Sequence, residues 1–222
     1  MFVRTYMTPD PIGISPDENF YQAMDLMRKN KIRRLPVIEA RHLVGVIAEK
    51  DLISTQPSSA NSLSLYEVYS LLETIRVRQI MSRPVFTVEG DCPIEEAARI
   101  MVENKIGCLP VMAGNNMVGI ITETDVFKAL VEILGGKEKG HRFTIQVQER
   151  VGQLAQVTEL IASAGGNIYA VTTSNVTDEA RREVTIKTTG ADPATLENQI
   201  KEAGFKILDE RPSARYEPRS FS

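Results

Sequence analysis

A chain of 222 residues with 42% hydrophobic and 25% charged side chains can close its own core without disulfides or a structural metal, as one large domain or two small ones. Its 26 basic and 29 acidic residues leave a net charge of −3, which provides no general attraction for nucleic acid or an anionic membrane. No apolar run approaches the ~18 residues of a spanning helix, the N-terminus lacks a signal-type apolar stretch, and Cys92 and Cys108, without CxxC spacing, read as reduced thiols, so the expected location is the cytoplasm.

In chain order, Ile12–Ile14 reads as a short strand ending at the polar turn Ser15-Pro16-Asp17. Phe20, Ala23, Met24 and Met27 then recur at helical spacing. Leu35-Pro-Val-Ile is a short strand, with proline suited to a strand edge or first position. Val44–Ala48 is a second strand, after which acidic Glu49 opens a helix in the orientation that the helix dipole favours. Residues 54–61 form a loop by composition. Residues 63–75 form an amphipathic helix with Leu65, Val68, Leu72 and Ile75 on one side, either a cover for the preceding unit or a dimer contact.

The pattern then starts again. Residues 7–52 align without a gap with residues 81–126 at a constant offset of 74, and 15 of the 46 pairs are identical, against roughly three expected by chance at ordinary residue frequencies. Each copy is strand, helix, strand, strand, helix, and each exposes apolar faces that one copy alone would struggle to bury. Two such units are expected to pair.

The chemistry-bearing stretch is Gly119-Ile-Ile-Thr-Glu-Thr-Asp125. A buried strand delivers the chain to a helix N-terminus, where unpaired N–H groups favour an anion. The hydroxyls of Thr122 and Thr124 suit phosphate oxygens, and the Asp125 carboxylate suits the two hydroxyls of a ribose. The same residues equally suit a purely local role, the threonines as caps and Asp125 as the acid of the first turn.

The Leu-Pro-Val strand, the Gly-hydrophobic-hydrophobic-Thr-x-Thr-Asp motif and the tandem copy together resemble the cystathionine-β-synthase (CBS) domain pair, or Bateman module, over about residues 1–135. The resemblance implies clefts between the copies that hold adenosine ligands: AMP, ADP, ATP or S-adenosylmethionine. It implies ribose on Asp125, phosphate on Thr122 and Thr124, and the base against Ile106 and Gly107. The first copy departs from the pattern: Ala48 and Lys50 replace the hydroxyls while Asp51 remains, so one competent and one altered site are expected. Lys50 can replace the lost hydroxyls with a point charge, and Arg33 and Arg34 stand where the family places a phosphate-binding base, or else belong to a solvated basic turn.

Residues 135–140 form a glycine-rich hinge. Strands over 142–148, 167–173, 182–188 and 205–209 and helices over 151–164 and 194–203 give the order βαββαβ of the ferredoxin-like fold. Glu149-Arg-Val-Gly-Gln-Leu and Ala164-Gly-Gly-Asn-Ile resemble the ACT domain, which implies an amino-acid ligand near Gly152, Leu154, Asn167 and Ile168; Val151 stands where that family often has proline. Gly152 and Asn167 equally suit turns alone.

The expected architecture is therefore α/β (α+β), with CBS copies at 1–60 and 77–135, a linker helix at 61–76, an ACT domain at 141–211 and a polar tail at 212–222. The domain order resembles that of the acetoin-utilisation (AcuB-type) proteins. With no His–carboxylate or Cys–His grouping, no Walker lysine loop and only two isolated histidines, the expectation is a regulatory sensor that is not an enzyme, without a metal site or catalytic cofactor. A nucleotide hydrolase and a nucleic-acid-binding regulator, the latter through the basic cluster at 28–34, are the alternatives. An unidentified regulated protein is the implied partner, and a homodimer through the C-terminal domain is expected, because a sheet with helices on one face leaves apolar surface to cover.

Overall fold

The computed structural model describes residues 1–57, 64–175 and 181–213, and the chain divides into two compact units, Met1–Ala129 and Leu130–Ser222. Of the expected 54–61 loop, residues 54 and 55 instead complete a helix that begins at Glu49, and residues 58–61 lie outside the described residues, as does most of the C-terminal tail.

The first unit runs α1 (Val3–Tyr6), β1 (Thr8–Pro9), α2 (Phe20–Asn30), β2 (Arg34–Glu39), β3 (His42–Ala48), α3 (Glu49–Thr55), α4 (Leu65–Thr74), α5 (Val77–Ile80), β4 (Val88–Glu89), α6 (Ile94–Asn104), β5 (Cys108–Ala113), β6 (Asn116–Thr122) and α7 (Glu123–Ile133), whose last turn passes the division. Of the expected short strand that opens each copy, Ile12–Ile14 shrinks to a single bridge, Ile14 with Val37, and its counterpart over 86–88 to the two residues of β4. Pro36 and Pro110 lie inside β2 and β5, not at their ends. The carbonyl of Pro36 accepts from Ile14 N–H, so its nitrogen faces the same side, where pairing is confined to that bridge and a missing donor costs little.

The copies exchange the segments that precede them. β1 pairs with β6 of the second copy (Thr8 opposite Ile120), and Ser82 bridges Val46 of the first, which is the same contact shifted by 74. Val3, on α1, is fully buried in the second core with Ile94, Leu109 and Ile121, whereas Val77 and Met81 lie in the first core with Phe20, Leu35 and Ile47. Each core is thus completed by chain that sequence order assigns to the other copy.

A glycine makes the exchange possible in both places. A Cβ on Gly45 would lie 2.3 Å from Met81 Sδ, and one on Gly119 would lie 2.5 Å from Met7 Sδ and 3.1 Å from the Thr8 carbonyl. The thioether can move aside, but the carbonyl belongs to a paired strand. Gly119→Ala is therefore expected to cost ~1–3 kcal/mol, as overpacking does, and Met7→Ala in the same chain to relieve part of it. Denaturant unfolding of the two single variants and the double variant measures the coupling.

Helix α4 covers the first core through Leu72, with Val68 and Ile75 half-buried, and Tyr69 stacks on Tyr21 at 4.6 Å. That is the covering role, with Tyr66 left 81% exposed on the other side.

The second unit runs β7 (His141–Gln148), α8 (Gln153–Ser163), β8 (Asn167–Asn175), β9 (Arg181–Thr189), α9 (Pro193–Glu202) and β10 (Lys206–Pro212), in the antiparallel order β10-β7-β9-β8. This is the ferredoxin-like order. Phe143, Ile145 and Val147 alternate toward the helices and meet Val157, Ile161, Leu196 and Ile200. The intervening positions on the opposite face carry Thr144, Gln146, Thr185 and Lys187 instead of apolar side chains. The Thr144 and Thr185 hydroxyls bond at 3.0 Å, and Lys187 Nζ donates to the Gly135 carbonyl. That face is therefore polar along the two central strands, while the exposed apolar side chains Tyr169 and Leu208 lie on the edge strands β8 and β10, of which β8 is the longer at nine residues. Among the described residues no helix is long and apolar enough to cross a membrane.

Candidate ligand-binding clefts

Among the cavities between the copies, two hold the strand-to-helix motifs, of about 420 and 350 Å³; a third, more open one of about 660 Å³, lined by His42, Val44, Arg83, Thr87 and Met112, holds neither. The walls of the first two correspond residue by residue at the offset of 74. Ser82, Val85, Phe86, Lys105, Ile106, Val46, Ala48, Lys50 and Asp51 in the larger match Thr8, Pro11, Ile12, Lys31, Ile32, Ile120, Thr122, Thr124 and Asp125 in the smaller. Each cleft takes its strand-to-helix motif from one copy and its facing wall from the other, because the preceding segments are exchanged.

This assembly regroups the residues singled out from sequence. Thr122, Thr124 and Asp125 do not share a cleft with Ile106 and Gly107: the first three face Ile32, Arg33 and Arg34, whereas Ile106 and Gly107 face Asp51 and Lys50. The resemblance implied clefts between the copies but set Asp125 and the Ile106-Gly107 wall in one site, whereas the exchange sets each motif against the wall of the other copy. Arg33 and Arg34 line both clefts.

The acidic residues sit in the first turns of α3 and α7, where the helix dipole favours a carboxylate. Asp125 is 6% exposed. Its Oδ2 accepts from the Thr122 N–H at 3.1 Å and the Thr122 hydroxyl at 2.7 Å, and its Oδ1 accepts from Lys128 Nζ at 2.9 Å. Asp51 Oδ2 accepts from the Ala48 N–H at 2.8 Å, and its Oδ1 has no partner among the described residues. With Ala48 in place of Thr122 and Ser54 in place of Lys128, Asp51 keeps more free acceptor capacity than Asp125. The larger cleft also presents Phe86, 46% exposed, where the smaller has Ile12.

Arg34 Nη2 donates to Glu123 Oε2 at 3.0 Å across the two copies. It passes over Gly107, where a Cβ would lie 1.8 Å from Nη2. Beside it Cys108 is 8% exposed, and burial pushes its thiol up to about 11, which leaves it protonated and inert near neutral pH.

Sequence reasoning missed Lys31 and Lys105. Each is the residue at the C-terminus of a helix, with φ of 54°, in the left-handed region where glycine is usual. A non-glycine residue there carries ~1–2 kcal/mol of strain, and each lysine lines a cleft. Their identical position in the two copies was the available signal.

In the second unit Gly152 caps α8 with φ of 89°, and a Cβ there would meet nothing within 4 Å. The backbone angle, not close approach to another group, requires the glycine. Leu154 is 43% exposed, Ile168 packs against the core, and Asn167 begins β8 opposite Thr189.

Both units are similar to known proteins. The CBS domain family model matches residues 3–57 and 77–132, and the model of the TTHA0829-like ACT domain matches residues 139–211. Protein MJ1225 of Methanocaldococcus jannaschii is 37% identical over 129 residues, 57% of this chain and 46% of that protein, so the match spans less than half the relative's length. CBSX2 of Arabidopsis thaliana superposes with a TM-score of 0.52 at 29% identity over 60% of this chain and 95% of that one. CBSX2 has also been solved in complex with AMP, at 28% identity and a TM-score of 0.50, over 60% of this chain and 97% of that one. The acetoin utilization protein AcuB from Vibrio cholerae is 30% identical over 59% of this chain and 90% of that one, with a TM-score of 0.49. The chain belongs to the CBS-domain family, as a tandem CBS pair followed by a C-terminal ACT-like domain.

Proposed function

We propose that the CBS pair binds an adenosine ligand in each of its two clefts and that the chain acts as a regulatory sensor. The observation that carries this reading is the matched pair of cavities, each setting a carboxylate at a helix N-terminus opposite an apolar wall and several basic side chains. Asp51 and Asp125 supply acceptors for the ribose hydroxyls, Phe86, Val85 and Ile106 (or Ile12, Pro11 and Ile32) an apolar surface for the base, and Lys50, Lys105, Lys31, Arg33 and Arg34 charge for phosphate. Thr122 and Thr124 add hydroxyls in the smaller cleft. The likeness to CBSX2, whose AMP complex is known, supports the ligand class. Calorimetric titration with AMP, ATP, S-adenosylmethionine and adenosine tests it, and a thermal-shift screen with amino acids tests a second ligand at the ACT-like unit.

The strained lysines give a specific expectation. Lys105→Gly should raise stability by ~1 kcal/mol by removing the left-handed strain, while weakening AMP several-fold and leaving adenosine almost unchanged. Thermal melts and parallel titrations with the two ligands measure both halves.

We also propose a homodimer through the free edge of β8, which would satisfy the unpaired backbone groups that an edge strand presents. Sedimentation at micromolar concentration is expected to give a dimer for the full chain, and a monomer would contradict this.

A further inference from the structure

We infer that Arg34, the more enclosed of the two arginines that line both clefts, serves one cleft at a time, so that a phosphate-bearing ligand in one cleft weakens the binding of a second in the other. This rests on the adenosine-ligand reading of the clefts. Arg34 lines both cavities, while the equivalent position in the second copy is Cys108, neutral and buried. The pseudo-symmetric pair of cavities therefore has an unpaired element at its centre. Gly107, in place of a second arginine, leaves the space through which the guanidinium reaches Glu123. Arg34's side chain is 20% exposed, and Glu123 itself lines the larger cleft.

A phosphate entering the larger cleft adds negative charge beside Glu123 and holds Arg34 on that side. The smaller cleft then keeps the solvated Lys31 and Lys128 and the shared, exposed Arg33 but loses the most enclosed of its cations. A shielded guanidinium–phosphate contact is stronger than a solvated one, so losing it is expected to weaken the second step about tenfold, within the usual range of coupling between sites. Adenosine carries no phosphate and should fill both clefts without interaction.

Calorimetry on the full chain decides this. Asp125→Ala and Asp51→Ala chains report each remaining cleft alone. With AMP, the second step of the unmodified chain should be about tenfold weaker than the Asp51→Ala chain binds, and with adenosine no such gap should appear. Arg34→Gln should abolish the gap, whereas Glu123→Gln, which breaks the same ion pair but keeps the cation, should preserve it. An ion pair with only a structural role would make those two variants behave alike, which overturns the inference. So does an AMP isotherm equal to the sum of the lone clefts while adenosine still binds. Absence of heat with both AMP and adenosine removes the cleft reading itself, and the shared arginine with it.

Discussion

Val3→Asp is expected to destabilise the first unit by ~4 kcal/mol or more, because it places an unpaired carboxylate in a fully buried site. Val3 contacts the second core, and its helix is held by bonds from Val3 N–H to the Cys92 carbonyl and from Arg4 N–H to the Gly90 carbonyl, both at 2.9 Å. The loss should lower the melting midpoint of that unit by about 10 °C or more. Val102→Asp, at a helix position 77% exposed, should stay within ~0.5 kcal/mol and serves as the control. Equal melting of the two variants would contradict the exchanged-segment packing.

The second large effect concerns the carboxylates. Asp51→Ala and Asp125→Ala should each weaken their own cleft about a hundredfold, since a ribose loses two hydrogen bonds to a charged acceptor worth ~1.5–3 kcal/mol each, partly offset by water. The Asp51 cleft is expected to be the tighter. A ligand there meets a free Oδ1, whereas at Asp125 it must compete with Lys128 and the Thr122 hydroxyl for the acceptor sites of the carboxylate. This reverses the order that the intact Thr-x-Thr-Asp motif suggests. Asp125→Ala also removes the acceptor that caps Thr122, with a stability cost of ~1 kcal/mol; melts of the free proteins separate this from binding.

Much of the fold is legible because it rests on local periodicity. The alternation of Phe143, Ile145 and Val147 and the helical spacing of Phe20, Ala23 and Met27 give the elements their type, and the offset of 74 gives the pairing of the copies. The exchange was less visible. It depends on which core Val3 and Val77 enter, a long-range choice that no short window encodes, although Val3-Arg4 and Val77-Arg78 lie at the same offset and extend the repeat upstream of Met7. The same long-range choice explains the site. Asp51, Asp125, Arg33, Arg34, Ile106 and Gly107 were all identifiable by residue type, but their division between two hybrid clefts follows from the exchange. Lys31 and Lys105 stood apart because their match at the offset of 74 marks them as equivalent without showing the left-handed backbone angle that sets each at a cleft.

The most direct test of adenosine-ligand sensing is calorimetric titration of the full chain with AMP beside the Asp51→Ala/Asp125→Ala double variant. The expected result is two AMP per chain in unequal steps, with no measurable heat from a double variant that still melts cooperatively. No heat from the unmodified chain with AMP, ATP, S-adenosylmethionine or adenosine, or undiminished binding by the folded double variant, would contradict the account.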